Sequence, residues 1–192
     1  TEEMVLTPFR KFFNLNEVWE TSTEVVEAKI KYCKLFEVSE KMDGSMQSYR
    51  WYNGEIVGSG SMALDPKKSF RLEEGLEMLT ENHKRMLKDF PTVTFIFEYI
   101  SEKDKHVVPY DYSKKKGLYL IGARSVIDGE EYSYNVIKDI SSYYGIPCCK
   151  TYQYNTLSEV LEHLNKMTVK DGEGFVLNID GHKIKLKCED YL

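Results

Sequence analysis

Two-residue turns flanked by strand-forming runs constrain the fold of this chain more than any other feature. Asn53-Gly54 and Asp180-Gly181 each lie between two runs of alternating or β-branched residues. Asn-Gly accepts the positive φ angles of a type I′ turn, which joins neighbouring antiparallel strands. The two turns predict β-hairpins over 46–60 and 175–187 and favour antiparallel sheets.

Helical patterns lie between these runs. Ser69–Phe90 has apolar residues at every third or fourth position, which predicts one long helix that ends before Pro91. Shorter helices are predicted over 23–34, 134–144 and 156–167, and further strands over 35–39, 92–100 and 117–123. The predicted fold class is α+β, with mostly antiparallel sheets flanked by helices.

Composition excludes several classes of protein. Hydrophobic residues make up 42% and charged residues 30% of the chain, which excludes a disordered or fibrous protein. The net charge of −5 argues against a wholly basic nucleic-acid binder but allows a local basic channel. No apolar run approaches the roughly 20 residues that span a bilayer, so we expect no membrane association. Four cysteines without CxxC spacing predict free thiols in a reducing, cytoplasmic compartment.

Two carboxylates interrupt hydrophobic runs. Glu98 lies inside the apolar run Phe95–Ile100, and Glu173 precedes Gly174 at the start of another strand. A charge in such a run needs a partner or a function, because burying it alone is costly. For Glu98, an outward-facing position at a sheet edge is the simple structural alternative.

Lysines form the second chemical pattern. Lys183, Lys185 and Lys187 alternate with Ile184 and Leu186, so the three lysines share one face of a strand. That face is either solvated or converges on a polyphosphate. The segment Lys41-Met42-Asp43-Gly44 is a weak signal alone, since an exposed turn can produce the same residues.

In this order and spacing, the segments resemble the covalent nucleotidyltransferase superfamily of polynucleotide ligases and mRNA capping enzymes. The resemblance has five parts: Lys41–Gly44 looks like motif I, Phe97-Glu98 like motif III, Leu118–Arg124 like motif IIIa, Glu173-Gly174 like motif IV and Lys185–Lys187 like motif V.

The flanking segments resemble one branch of that superfamily, the phage-type RNA ligase 1 family of tRNA-repair ligases. Arg10–Glu17, His106–Tyr110 and Tyr191 all fit its pattern, and the resemblance covers about 5–192. It implies a nucleotidyltransferase fold, an ATP-grasp-like ligase core. It also implies a phage or viral origin, with action in the host cytoplasm.

The resemblance implies that Lys41 is the catalytic nucleophile. Lys41 would attack the α-phosphate of ATP, form lysyl-AMP and release pyrophosphate. A free lysine has a pKa of about 10.4, so Lys185, Lys187 and a metal ion would be needed to favour the neutral amine. AMP would then pass to an RNA 5′-phosphate, and a 3′-hydroxyl would displace AMP and seal the strand.

The resemblance also implies nucleotide-binding roles. Glu98 would accept hydrogen bonds from the ribose hydroxyls, and Glu173 would hold Mg²⁺ (or Mn²⁺), which keeps much of its hydration shell. Lys11 would contact the nucleotide. Asp43, followed by Gly44, would either orient the turn or contact the metal or ribose, and both roles stay open at this point.

RNA ends with a 5′-phosphate and a 3′-hydroxyl are the implied partners, together with ATP, and we expect a monomer. Candidate RNA contacts are the basic stretches Lys114–Lys116, Lys67-Lys68 and Lys103–Lys105. Each could equally be a solvated loop, because exposed lysines are common on protein surfaces.

Three departures from the family pattern leave alternatives open. An arginine that the family carries upstream of Lys11 has no counterpart here, Ser59 replaces a basic residue, and the sequence stops shortly after motif V. We therefore expect 1–192 to be an adenylyltransferase core without the family's N-terminal strands and C-terminal specificity domain. The alternatives are a DNA ligase or capping guanylyltransferase core, or a non-catalytic nucleotide- or RNA-binding fragment.

Overall fold

The computed structural model of the protein describes residues 5–60 and 69–192. Its helices are α1 Thr23–Tyr32, α2 Phe70–Met78, α3 Glu81–Asp89, α4 Tyr112–Lys115, α5 Tyr134–Tyr144 and α6 Leu157–Lys166. Its strands are β1 Phe13–Asn14, β2 Phe36–Lys41, β3 Ser45–Tyr52, β4 Glu55–Ser59, β5 Val93–Ile100, β6 Gly117–Ser125, β7 Thr151–Tyr152, β8 Gly174–Ile179 and β9 His182–Lys187. The predicted α+β class is confirmed.

The chain divides into two compact units. The first contains the described residues within Thr1–Phe9, Gly44–Lys105 and Asp111–Cys148. The second contains Arg10–Asp43, His106–Tyr110 and Cys149–Leu192. The chain therefore passes from the second unit to the first between Asp43 and Gly44, inside the segment that resembles motif I.

The first unit is built on a four-stranded antiparallel sheet with the order β4-β3-β5-β6. Asn53 and Gly54 have φ angles of 51° and 81°, so the predicted turn between β3 and β4 is confirmed. Tyr49, Phe95 and Phe97 are fully buried on one face of this sheet, where helices α2, α3 and α5 pack. Burial of these large rings stabilises the unit.

The prediction of one helix over Ser69–Phe90 was wrong, because the segment forms two helices. Leu79 has an extended ψ of 111° and ends α2, and the Thr80 hydroxyl accepts a hydrogen bond from the His83 amide at the start of α3. The Thr80 amide in turn donates to His83 Nδ1. This reciprocal cap satisfies orphan groups at the helix start, which favours a break that apolar spacing does not reveal.

The second unit is built on a five-stranded sheet with the order β1-β9-β8-β2-β7. All of its pairs are antiparallel except β1 with β9, which is parallel. Val26 of α1 and Val160 of α6 pack against its buried face, which includes Val38, Phe175 and Leu177. The sheet thus has one apolar face under two helices.

The closing hairpin of the second unit follows the predicted pattern. Asp180 and Gly181 have φ angles of 50° and 92° at the turn between β8 and β9. Ile184 and Leu186 are buried, whereas Lys185 and Lys187 are partly exposed. The predicted separation of lysines and aliphatic residues onto opposite faces of β9 is therefore confirmed.

Candidate active site

The register of three strands in the second unit lines up the predicted catalytic residues. Lys41 pairs with Gly174 across β2 and β8, and Gly174 pairs with Lys187 across β8 and β9. β2 continues two residues beyond its predicted end at Ser39, so Lys41 is the last residue of a strand. A strand end next to two paired strands holds the lysine backbone more firmly than an exposed turn would.

Glu173 is the carboxylate that joins the two lysines. Lys41 Nζ lies 2.9 Å from Glu173 Oε1, and Lys187 Nζ lies 4.0 Å from the same oxygen. The Glu173 side chain is only 4% exposed. Burial raises the pKa of Glu173, and the charges of Lys41 and Lys187 oppose that rise without cancelling it.

Lys185 contributes to the same charge cluster. Burial lowers the pKa of Lys185, and the like charges of Lys41 and Lys187 lower it further. Repulsion of this kind arises where ammonium groups converge, as the alternating pattern of β9 predicted. Such a cluster favours binding of a polyanion, which would relieve the repulsion.

Gly174 allows β8 and β9 to approach closely beside this cluster. A Cβ atom at Gly174 would lie 1.9 Å from the carbonyl oxygen of Leu186, closer than any contact that real side chains make. The glycine also has a φ of +156°. A side chain here would separate the two strands and with them Glu173 and Lys187.

Asp43 is buried and bonded to protein donors. Its Oδ2 accepts hydrogen bonds from the amides of Val107 at 2.9 Å and Val108 at 2.7 Å. Its Oδ1 accepts a hydrogen bond from the Tyr191 hydroxyl at 2.8 Å, and the Asp43 amide donates one to Tyr110 Oη at 3.0 Å. Of the two roles left open by the sequence, these contacts favour orientation of the turn.

Lys11 belongs to the same unit and lies near the start of β1. Its ammonium group is 5.2 Å from the centre of the Phe13 ring, and that of Lys185 is 5.4 Å from the Phe12 ring. Asn14 of β1 pairs in register with Lys185. Strand β1 therefore carries the Lys11 segment alongside the lysine strand.

Gly44 and Glu98 belong to the first unit. The Gly44 amide donates to Glu98 Oε2 at 2.9 Å. A Cβ at Gly44 would lie 2.2 Å from the Tyr99 carbonyl oxygen, so only glycine fits this position. The structure thus brings the predicted site residues together as two groups, one in each unit.

The sequence assigned no individual role to Tyr119, Tyr110 or Asp104, although Tyr119 and Tyr110 lie in segments that resemble the family. Tyr119 pairs directly with Glu98 across β5 and β6, and its place within the motif IIIa segment was the available signal. Asp104 accepts a hydrogen bond from Ser45 and lies 2.7 Å from Arg71 Nε. Neither partner of Asp104 is close in sequence, so no local pattern indicates these contacts.

Two of the lysines proposed as RNA contacts form ion pairs with acidic side chains of the first unit. Lys103 and Lys116 lie 3.3 Å and 3.5 Å from Glu74 Oε2, and Lys116 also lies 3.0 Å from Glu102. Burial raises the pKa of Glu74, but hydrogen bonds and the nearby ammonium groups outweigh it and lower the value to about 2. Lys105 and Lys114 are exposed, and Lys67-Lys68 lies outside the described residues.

Within 5–60 and 69–192, no three His, Cys, Asp or Glu side chains converge as a metal-binding cluster. Over the same ranges, every helix is too short or too polar to cross a bilayer.

A family model described as "RNA ligase" matches residues 1–191. The chain belongs to this phage-type RNA ligase family. A protein of Thermovibrio ammonificans named "Putative RNA ligase" is 36% identical over 120 residues, which are 58% of this chain and 28% of that protein. The predicted family is therefore confirmed.

Solved structures of RNA ligases share the fold. An archaeal ATP-dependent RNA ligase superposes with a TM-score of 0.74 at 16% identity, over 95% of this chain and 48% of that one. A variant of the Naegleria gruberi RNA ligase, determined with ATP and Mn, gives 0.61 at 14% identity, over 99% of this chain and 60% of that one. The predicted nucleotidyltransferase fold is confirmed, and the chain spans about half the length of these ligases.

Proposed function

We propose that this chain is the nucleotidyl-transferring part of an ATP-dependent RNA ligase. The observation that carries the proposal is the contact of 2.9 Å between Lys41 Nζ and the buried Glu173, beside the lysine strand β9. Membership of the RNA ligase family supports RNA as substrate. The names of the archaeal and Naegleria relatives support ATP and a divalent metal.

In the first step, the lone pair of Lys41 Nζ forms a bond to the α-phosphorus of ATP. The bond from that phosphorus to its bridging oxygen breaks, and pyrophosphate leaves with the electron pair. The ammonium group must first release a proton, and Glu173 is an acceptor in hydrogen-bond contact with it. Lys185 and Lys187 stabilise the negative charge that builds on the phosphates.

In the second step, a 5′-phosphate oxygen of RNA attacks the phosphorus of lysyl-AMP and displaces Lys41. In the third, an RNA 3′-hydroxyl attacks the activated 5′-phosphate, and AMP leaves as the strand is sealed. The Glu98 carboxylate would accept hydrogen bonds from the ribose hydroxyls. Tyr119 of β6 is the residue that pairs with Glu98 of β5. Lys11 would contact the nucleotide from the second unit.

Glu173 fits a magnesium ion that arrives with the nucleotide. Mg²⁺ is usually bound by one or two carboxylates together with substrate phosphates and waters, rather than by a full protein cage. A single buried carboxylate without a metal-binding cluster in the described ranges matches that mode. When bound, Mg²⁺ or Mn²⁺ neutralises charge on the phosphates.

The test is incubation of the full chain with Mg²⁺ and ATP labelled at the α-phosphate, followed by denaturing electrophoresis. We expect an acid-labile, alkali-stable label that is lost in Lys41→Ala and in Lys187→Ala. Lys170→Ala, which removes an exposed lysine, should be labelled like the wild type. An unlabelled wild type, or a labelled Lys41→Ala variant, would contradict the proposal.

Three further measurements separate the alternatives. Labelling by GTP in place of ATP would indicate a capping guanylyltransferase, and sealing of nicked duplex DNA would indicate a DNA ligase. Calorimetric binding of ATP without pyrophosphate release would indicate a non-catalytic fragment. The presence of Ser59 in place of a basic residue is the feature that favours this last outcome.

A further inference from the structure

Asp43 has nearly all of its acceptor capacity filled. Two backbone amides reach Oδ2 and the Tyr191 hydroxyl reaches Oδ1, while His106 Nδ1 lies 3.9 Å from the same Oδ1. An ionised carboxylate offers about four acceptor positions, so three are taken. Asp43 is 4% exposed, which leaves little room for another ligand. Its contacts are those of an anchor for the turn after Lys41.

Tyr191 is the residue that joins this anchor to the lysine strand. Its hydroxyl donates to Asp43 at 2.8 Å, and its ring centre lies 5.6 Å from Lys187 Nζ. A short 3-10 turn over Glu189–Tyr191 follows β9 and returns the chain toward Asp43. One side chain therefore contacts both the turn after the nucleophile and a phosphate-binding lysine.

An aromatic ring suits the second of these contacts. A ring face attracts an ammonium group within about 6 Å without neutralising its charge. Glu173 already lies 4.0 Å from Lys187 Nζ, and a second carboxylate in place of the ring would cancel more of the charge that phosphates need. Burial, followed by the hydrogen bond to Asp43, raises the pKa of Tyr191, so its hydroxyl stays protonated and able to donate at neutral pH.

We propose that Tyr191 is a positioning residue of the nucleotide-transfer site, which holds the Lys41 turn through Asp43 and seats Lys187 on its ring. This inference rests on the proposed function. It separates into two parts, because Tyr191→Phe removes only the hydroxyl whereas Tyr191→Leu removes the hydroxyl and the ring.

The two variants should differ in their kinetics of lysyl-AMP formation. We expect Tyr191→Phe to lower the rate at saturating ATP about tenfold, the effect of losing one hydrogen bond to a charged group, with KM for ATP unchanged. Tyr191→Leu should show the same loss of rate and also raise KM for ATP about threefold, because Lys187 no longer contacts an aromatic ring. Tyr143→Phe, at an exposed tyrosine of α5, should match the wild type.

A second measurement does not depend on activity. The ring current of residue 191 should shift the ε-methylene protons of Lys187 upfield in the NMR spectra of the wild type and Tyr191→Phe, but not of Tyr191→Leu. Equal Lys187 shifts in all three proteins would overturn the seating of Lys187, even if no protein is labelled by ATP.

The kinetic result has its own contrary outcomes. Rates for Tyr191→Phe that match those of Tyr143→Phe would overturn the anchoring role. So would a loss that disappears at a lower temperature at which both variants are fully folded, since the effect would then be one of stability. An unlabelled wild type with the expected NMR shifts would contradict the proposed function but not the geometry.

Discussion

Glu173 is a single residue whose burial costs folding free energy but suits the proposed reaction. Its carboxylate is buried, and burial raises its pKa although the Nζ atoms of Lys41 and Lys187 lie 2.9 Å and 4.0 Å from Oε1. A buried ion pair often contributes less to stability than the desolvation of its members costs. The pair is therefore better explained by the proposed transfer reaction than by a contribution to folding.

Replacement of Glu173 by glutamine tests this explanation. We expect Glu173→Gln to lower the rate of lysyl-AMP formation at least 100-fold, a typical cost of removing one electrostatic group from an active site. The amide keeps the shape of the side chain but can neither accept a proton from Lys41 nor hold Mg²⁺ as strongly. Quantified labelling by ATP checks this, and a loss below fivefold would contradict it.

The stability of the same variant should depend on pH in a defined direction. A raised pKa in the folded state means that Glu173 stabilises the fold most below its unfolded pKa of about 4.3. That stability is lost as pH rises through the folded pKa. The melting temperature of Glu173→Gln relative to wild type should therefore be higher at pH 8 than at pH 4.

The sequence predicted several candidate site residues but not their partners. Glu173 could be singled out as a charge at the start of a hydrophobic run and the β9 lysines by strand alternation, which are local properties, whereas the role of Lys41 was implied by the family resemblance. The role of Asp43 could not be predicted, since Tyr191 lies 148 residues away and Val107 lies 64 residues away. Hydrogen bonds of that range depend on how the strands are ordered in the sheet.

At the scale of elements, hairpins were more predictable than long helices. The turns at Asn53-Gly54 and Asp180-Gly181 require positive φ angles, which few residue types supply, so the sequence specifies them. The boundary at Thr80 is set by two hydrogen bonds, from the His83 amide to the Thr80 hydroxyl and from the Thr80 amide to His83 Nδ1. Histidine here takes the place of the Glu or Gln of the usual capping-box pattern, so the sequence does not signal the break. The parallel pairing of β1, two residues long, has no local signal at all.

His83 makes this helix boundary sensitive to acid. It is buried, its Nδ1 accepts the Thr80 amide, and its Nε2 has no hydrogen-bond partner among the described residues. Burial lowers the pKa of His83 to about 4. Between this value and about 6.5 in the unfolded chain, the unfolded state binds more protons, so stability falls as pH falls.

The expected loss is up to about 3 kcal/mol between pH 6.5 and pH 4, at about 1.4 kcal/mol for each pKa unit. His83→Asn keeps an acceptor for the Thr80 amide but does not titrate. Urea unfolding at several pH values should show that the stability difference between wild type and variant shrinks by that amount toward pH 4. Parallel curves for the two proteins would show that His83 does not contribute.

At the scale of the whole molecule, the two units interleave along the chain. His106–Tyr110 belongs to the second unit although the residues on both sides of it belong to the first. Composition does not change at these crossings, so a linear search for linkers could not find them. The segment matters because it supplies the amides that bind Asp43.

Net charge sets the conditions for the proposed binding of RNA by the whole chain. With 26 Lys and Arg against 31 Asp and Glu, the molecule repels a polyanion on average. Binding must then depend on local lysines that contact phosphates. Such contacts weaken as the salt concentration rises, because each counterion that the protein displaces gains less free energy on release. Lys103 and Lys116 already form ion pairs with Glu74 and Glu102. Lys114 and Lys115 of α4 are therefore the better candidates for phosphate contacts.

The double variant Lys114→Ala/Lys115→Ala tests this assignment. For a single strand, each phosphate contact contributes about 0.7 to the slope of log affinity against log salt, so losing two should reduce the slope by about 1.4. Lys166→Ala/Lys170→Ala removes the same charge from exposed lysines of the second unit and should leave the slope unchanged. Titration of a labelled 5′-phosphorylated RNA at several KCl concentrations measures both. An equal reduction of the slope in both double variants would mean that net charge alone governs RNA binding, and an unchanged slope in both would mean that neither pair contacts phosphates. Either result would contradict the role assigned to α4.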